Sequence, residues 1–306
     1  VESGCWQHPS SATRAELVGT SSAFEGQGGH TPLIPSWLDE PSEAPGEAGS
    51  TAVEAPADEN PDYSDHLPRS GLPPIGDPNR FTAARSNFTR FARSGGRDSA
   101  SLGRAISRYV SSSAGGSQSA AARMGSSRAS AGRLAGFLAD AARRGAVEAL
   151  RALNLEALAG RPIEEVFAGL ADYVCPDGGS IDEGIARSAF IETIAELAQL
   201  GITDLDGLTP VELQTVFETY ATNAIEARIC NDIGAKVVTV PADARQAAQV
   251  QAQLHDFIRR GVSDALVQQP SIASLPADAV MGFVSKVYQQ AFEILQDMGD
   301  AEATTS

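Results

Sequence analysis

The residues of this chain that could do chemistry are four histidines, three cysteines, a surplus of carboxylates and a dense run of arginines. His8, His30, His66 and His255 include no pair at the i, i+4 spacing that lets two imidazoles on one helix face grip a metal. Neither Cys175 nor Cys230 has a Cys or His three or four positions away, so the spacing argues against zinc. Each of these two cysteines reads as a small buried apolar residue. Asp204-Leu205-Asp206-Gly207 has the outline of a calcium loop, but aligning its glycine puts Ile202 and Leu213 where the first and last carboxylates are required. It reads as a turn. Glu164-Glu165 and Asp182-Glu183 fall in helix first turns, where the macrodipole already accounts for them. There is no Walker-type loop and no Gly-x-Ser-x-Gly elbow, so the motifs imply no cofactor, no metal, no catalytic residue and no enzyme.

The arginines are the one ambiguous signal. Residues 80–151 carry thirteen Arg, no Lys and three acids. Arg85, Arg90, Arg104 and Arg108 are candidate contacts to phosphates, which guanidinium groups bind in a bidentate fashion. The same block also suits a charged protein partner, or pairing inside the chain. The flanks are acidic: eleven acids against one Arg over residues 19–79, and twenty-three against eight bases over residues 152–306. The formal charge of −16 speaks against nucleic acid for the chain as a whole, and only the block argues for it.

The elements that must position these groups are helices. Asp77-Pro78 reads as a helix start, followed by Phe81, Phe88 and Phe91 on one face and Gly95-Gly96 as a stop. Leu102, Ile106, Tyr109 and Val110 mark a second helix, closed by Gly115-Gly116, and Met124, Leu134, Phe137 and Leu138 a third that runs to Gly145. Shorter ones follow at 146–158 and 162–174. Ser180 with Glu183 and Thr209 with Glu212 are capping boxes; the first helix carries Ile185, Ile194 and Leu197, the second Leu213, Phe217, Tyr220 and Ala224. Residues 236–240 read as a brief extended link. Val250, Leu254, Phe257 and Leu266 define a long helix, and Val280, Phe283, Val287, Leu295 and Met298 another. The expected fold is all-α, a multi-helix bundle or orthogonal helical array, with a long disordered acidic N-terminal region.

The expected organisation is a leader at 1–17 upstream of a start at Val18, an N-terminal motif for partner engagement at 18–38, a disordered acidic linker at 39–76, a helical body at 77–299 and a disordered tail at 300–306. A start at Val18 makes Gly19 the first residue once the initiator is removed. Thr31-Pro32-Leu33-Ile34-Pro35-Ser36-Trp37-Leu38 is an apolar patch held extended by its prolines, either a docking peptide or a segment that packs back on the body. The odd, scattered cysteines form no disulfide framework, and no apolar run is long enough to span a bilayer; a cytoplasmic protein with no membrane partner is expected.

Several of these stretches, taken together, resemble the QatB family of the bacterial Qat anti-phage defence system. They are Gly19-Thr20-Ser21-Ser22, Thr31 through Leu38, Phe81-Thr82-Ala83-Ala84-Arg85-Ser86-Asn87-Phe88 through Arg108-Tyr109-Val110, Leu153-Asn154-Leu155 with Arg161-Pro162-Ile163, and Ala227-Arg228-Ile229-Cys230-Asn231-Asp232-Ile233-Gly234. The resemblance runs from Gly19 to about Leu266. It implies work beside an ATPase, an enzyme similar to the deazaguanine synthase QueC and a TatD-like nuclease. It also implies that the chain is a non-catalytic partner, or substrate, of the QueC-like enzyme. In that setting Gly19 is the expected modification site through its α-amine, and Thr20, Ser21, Ser22, Thr31, Pro32, Leu33, Ile34, Pro35 and Trp37 are the expected partner-binding residues. The competing expectation is an adaptor that uses the arginine block to bring a nuclease to phage DNA.

Overall fold

A computed structural model describes residues 79–176, 178–234 and 243–304. The expected leader, N-terminal motif and linker, the Asp77-Pro78 start and the link at 236–240 lie outside them. The described residues form ten α-helices and no strand, so the chain is all-α. In order the helices are α1 (Thr82–Arg93), α2 (Ser99–Arg108), α3 (Ser117–Ala122), α4 (Gly125–Arg144), α5 (Ala146–Arg151), α6 (Ile163–Val174), α7 (Ile181–Gln199), α8 (Pro210–Ile233), α9 (Ala244–Val267) and α10 (Val280–Thr304).

Local sequence explains most boundaries. Asp98 caps α2, accepting hydrogen bonds from the Ser101 amide at 2.9 Å and the Ser101 hydroxyl at 2.6 Å. Both expected capping boxes form: Ser180 Oγ accepts from the Glu183 amide while the Glu183 carboxylate accepts from the Ser180 amide, and Thr209 and Glu212 do the same at α8, behind Pro210 in the first turn. Asp204 Oδ1 accepts from the Asp206 amide at 2.9 Å, a turn that leads into that cap. Gly95 and Gly96, at φ +66° and +83°, stop α1, and the Gly96 amide returns to the Phe91 carbonyl at 3.2 Å.

Helix α8 is the axis of the core. Thr219 through Glu226 are all buried, so this stretch is enclosed on every side, by α7, α9, α4 and the short turn Ile272–Ser274. Helix α10 lies across α2, α9, α3 and α4. Its crossing with α2 is close because both helices present glycine. A Cβ on Gly299 would stand 2.5 Å from the Gly103 carbonyl oxygen, and one on Gly103 would stand 2.7 Å from the Gly299 oxygen. Ser107 Oγ donates to Asp300 at 2.6 Å beside this contact.

Several expectations need correction. Helix α1 starts at Thr82 behind Phe81, with no side-chain cap. The second helical segment ends in a π-turn, Tyr109–Ser113, and α3 is a separate short helix. The segment expected at 146–158 divides into α5 and a 3₁₀ turn at Glu156–Leu158. Residues 300–304, expected as a disordered tail, continue α10, because Gly299 and Asp300 are fastened to α2. On α7 the core face is Ala186, Ala189, Phe190, Thr193 and Leu197, while Ile185 and Ile194 are only half-buried. The small residues let α7 lie close to α8, while Ile194 packs at the edge of the core and Ile185 is left half-buried.

Candidate functional site

The end of α8 gathers a connected set of polar side chains from four parts of the folded body. Asp232, 6% exposed, accepts a hydrogen bond from the Tyr109 phenol at 2.9 Å and from Arg123 Nη2 at 3.0 Å. Arg228, one turn earlier, holds Nε 3.3 Å from the other Asp232 oxygen and donates through Nη1 to Asp182 on α7 at 2.6 Å. Phe81 stacks on the Tyr109 ring at 5.8 Å between centroids. The guanidinium groups of Arg80, Arg123 and Arg85 lie 4.6, 5.8 and 5.9 Å from the Phe81 centroid. Arg85 Nε also donates to the Ile233 carbonyl at 2.7 Å, satisfying an oxygen that the last turn of α8 leaves open.

Chemically this arrangement binds. Burial, and then the neighbouring Asp232 carboxylate, push the Tyr109 phenol well above its ordinary range, so it stays a neutral donor. Each arginine of the set is committed to an oxygen, a ring or both. The network joins residues far apart in sequence: Phe81 and Arg85 from the start of the body, Tyr109 from the π-turn, Arg123 from the end of α3, and Arg228 and Asp232 from α8.

A second interior set sits where α7, α8 and α9 meet. His255 Nδ1 lies 2.9 Å from Glu226 Oε2, and Nε2 lies 3.6 Å from Glu196 Oε1. Asn223 Nδ2 donates to Glu196 at 3.3 Å, and Arg259 Nε to Glu218 at 3.3 Å. Burial works against the imidazolium, but the hydrogen bonds to Glu196 and Glu226 outweigh it and push His255 up to about 10. His255 is therefore a cation at neutral pH, with both ring N–H groups directed at carboxylates. Cys175 is buried; burial raises its thiol, which lies 3.5 Å from the Ala186 carbonyl, in keeping with an inert core residue.

Of the site residues expected from sequence, Gly19, Thr20, Ser21, Ser22, Thr31, Pro32, Leu33, Ile34, Pro35 and Trp37 lie outside the described residues. Arg85 belongs to the network above. Arg104 Nη2 reaches the Ser101 hydroxyl at 3.3 Å, while Arg90 and Arg108 are exposed. Across the block, Arg85, Arg97, Arg104, Arg123, Arg133, Arg143, Arg144 and Arg151 all donate to oxygens of this chain. Eight of the thirteen arginines are thus turned, at least in part, to internal bonds. Sequence reasoning missed Asp232 as the shared acceptor of Tyr109 and Arg123. The available signal was that Arg108-Tyr109-Val110 and the 227–234 stretch stood out separately, without a reason to join them.

Among the described residues no helix is long and apolar enough to cross a membrane, and no group of three or more His, Cys, Asp and Glu is arranged to hold a metal ion. No curated protein matches the chain, and no solved structure does. A family model described as Qat anti-phage system associated protein QatB matches residues 115–295, which include Arg123, Arg228, Asp232 and the His255 set. With more than half of its length matched, the chain belongs to the QatB family of Qat anti-phage system associated proteins.

Proposed function

We propose that this protein serves anti-phage defence as a non-catalytic interaction protein, the partner and N-terminal-glycine substrate of a QueC-like deazaguanine enzyme. Its family gives the defence role. The single observation that favours a binding over a catalytic part is the use of the interior ionisable groups. Tyr109, Asp232, Arg123 and Arg228, and His255 with Glu196 and Glu226, are bound to one another and hold the body together.

In the reaction we infer, the enzyme activates a 7-deazaguanine carboxylate with ATP as an acyl adenylate. The unprotonated α-amine of Gly19 attacks the carbonyl carbon, a C–N bond forms, the C–O bond to AMP breaks, and the amine proton leaves to a base. An α-amine with an ordinary pKa near about 8 is partly unprotonated at neutral pH. Glycine has no Cβ to crowd the attack. The chain carries only two lysines, Lys236 and Lys286, so few ε-amines compete. Residues 20–38 are the segment the enzyme grips, and the ATPase and TatD-like nuclease of the system complete the set of partners in a cytoplasmic complex.

The test is the intact mass of the N-terminal peptide after co-expression with and without the QueC-like enzyme. We expect a mass increment on Gly19 only with the enzyme; an unaltered Gly19 in both refutes the reading. The second reading, a nucleic-acid adaptor, draws on the exposed Arg90 and Arg108. Retention on DNA that falls steeply with salt, and falls further when Arg85, Arg90, Arg104 and Arg108 are neutralised, would favour it.

A further inference from the structure

Over residues 79–139 the chain carries ten arginines and one acid, Asp98. Several of these arginines donate to oxygens of the body, but the outer side of α1 is different. Arg90 and Arg93 are exposed and make no hydrogen bond or ion pair with any described residue. Their spacing, with the exposed Ser86 one turn earlier, puts them on one side of the helix. Arg97, just past the Gly95-Gly96 stop, is exposed as well. Its Nε donates to the Ser94 carbonyl at 3.0 Å, which holds it against the end of α1, and its terminal nitrogens have no partner among the described residues.

No counter-charge comes from the surroundings. Asp98 spends both oxygens on Ser101 in capping α2, and the α9 side chains beside Gly95 and Gly96 are Gln246 and Gln253, amides rather than carboxylates. The macrodipole favours cations in a last turn, which accounts for Arg90 and Arg93 but not for Arg97, which follows the helix.

The neighbourhood also says what such a face takes. Among the described residues, no large hydrophobic side chain before Val147 is exposed, so a peptide would find no apolar anchor there. The rings of Phe81, Phe88, Phe91 and Tyr109 are buried, so none can stack on the open bases of a single strand. Charge and planar guanidinium donors remain, and these match the phosphates of a duplex.

We propose that the outer face of α1, with Arg90, Arg93 and Arg97, binds the phosphate backbone of duplex DNA without reading its sequence. The proposal rests on the second reading of the arginine block and narrows it: Arg93 and Arg97 join Arg90 in place of Arg85 and Arg104, which are half-buried. It is independent of the modification of Gly19.

The test titrates the full-length protein into a short fluorescein-labelled DNA duplex and follows anisotropy. Saturable binding with a micromolar Kd is expected at about 50 mM salt, weakening steeply towards about 200 mM. Arg90→Gln with Arg93→Gln and Arg97→Gln should weaken it about tenfold or more at the lower salt, and should reduce the slope of log K against log salt by roughly 2–3. Arg143→Gln with Arg144→Gln and Arg151→Gln removes the same charge from arginines paired with Asp140 and Glu148, and should leave Kd within about twofold. Both variants should keep the native circular dichroism spectrum. Equal losses in the two variants, or none in the first, overturn this face and leave the nucleic-acid reading standing. Absence of saturation by about 100 μM at the lower salt overturns both. Tighter binding to a single strand of the same sequence overturns the duplex assignment, and equal binding of polyglutamate, lost in the first variant, overturns DNA in favour of an acidic protein.

Discussion

Replacing Asp232 with alanine tests whether the network at the end of α8 holds the body together. The carboxylate is 6% exposed, and it faces Arg228 at 11% and Arg123 at 20% exposure, so its loss leaves two largely desolvated cations with a reduced counter-charge. It also leaves the buried Tyr109 hydroxyl without its acceptor. Removing one member of a buried pair costs about 3–5 kcal/mol, most of it from the charge left behind. For a body of this size, each kcal/mol lowers the melting temperature by about 2–4 °C. A fall of about 6–20 °C in Tm is therefore expected. Asp232→Asn, which preserves shape and one oxygen, should lose roughly half as much. The double variant Asp232→Leu with Arg228→Met should recover much of the loss, since it removes both charges together. Circular dichroism at 222 nm, followed through thermal and urea unfolding, measures all three. A Tm within about 1 °C of the parent for Asp232→Ala, or strict additivity in the double variant, would show that the network is decoration on a body held by packing alone.

Two other perturbations bear on the same body. Because the folded pKa of His255 is raised from 6.5 to about 10, its contribution to stability is complete below pH 6.5 and is lost as pH rises through about 10. That displacement caps the contribution at about 5 kcal/mol. His255→Gln should flatten the fall in urea midpoint between pH 6.5 and 10, and an unchanged profile would count against the ion triad with Glu196 and Glu226. Gly299→Ala would drive a Cβ to 2.5 Å from the Gly103 carbonyl oxygen, a backbone atom that cannot step aside. A loss of about 2–3 kcal/mol in urea unfolding is expected, and a neutral result would mean that the two helices can separate at little cost.

What could be read in the sequence was whatever acts locally. The capping boxes at Ser180 and Thr209, the glycine stop after Phe91 and the stripes of α8 and α9 depend on neighbours within a turn or two, and they stand where the spacing placed them. The stripe of α7 was read only in part: Leu197 is buried and Ile194 packs at the edge of the core, but most of the burial there follows the small side chains Ala186 and Ala189, which a hydrophobicity pattern weighs less than Ile185. The length of α10 failed because its last turns are polar and are held by Gly103 and Ser107 rather than by their own composition. The arginine block could be counted but not assigned. Arg85 finds the Ile233 carbonyl across 148 positions and Arg123 finds Asp232 across 109, and no local rule foretells such acceptors.

The glycine seam between α2 and α10 also sets a timetable. Its hydrogen bond from Ser107 to Asp300 spans 193 positions, and a ribosome adding about 5–20 residues per second needs roughly 10–40 s to make that stretch. Through that interval α2 waits with its binding surface unmatched, while everything upstream of it has already emerged. During synthesis, then, the body cannot close over α2 until its last helix has been made.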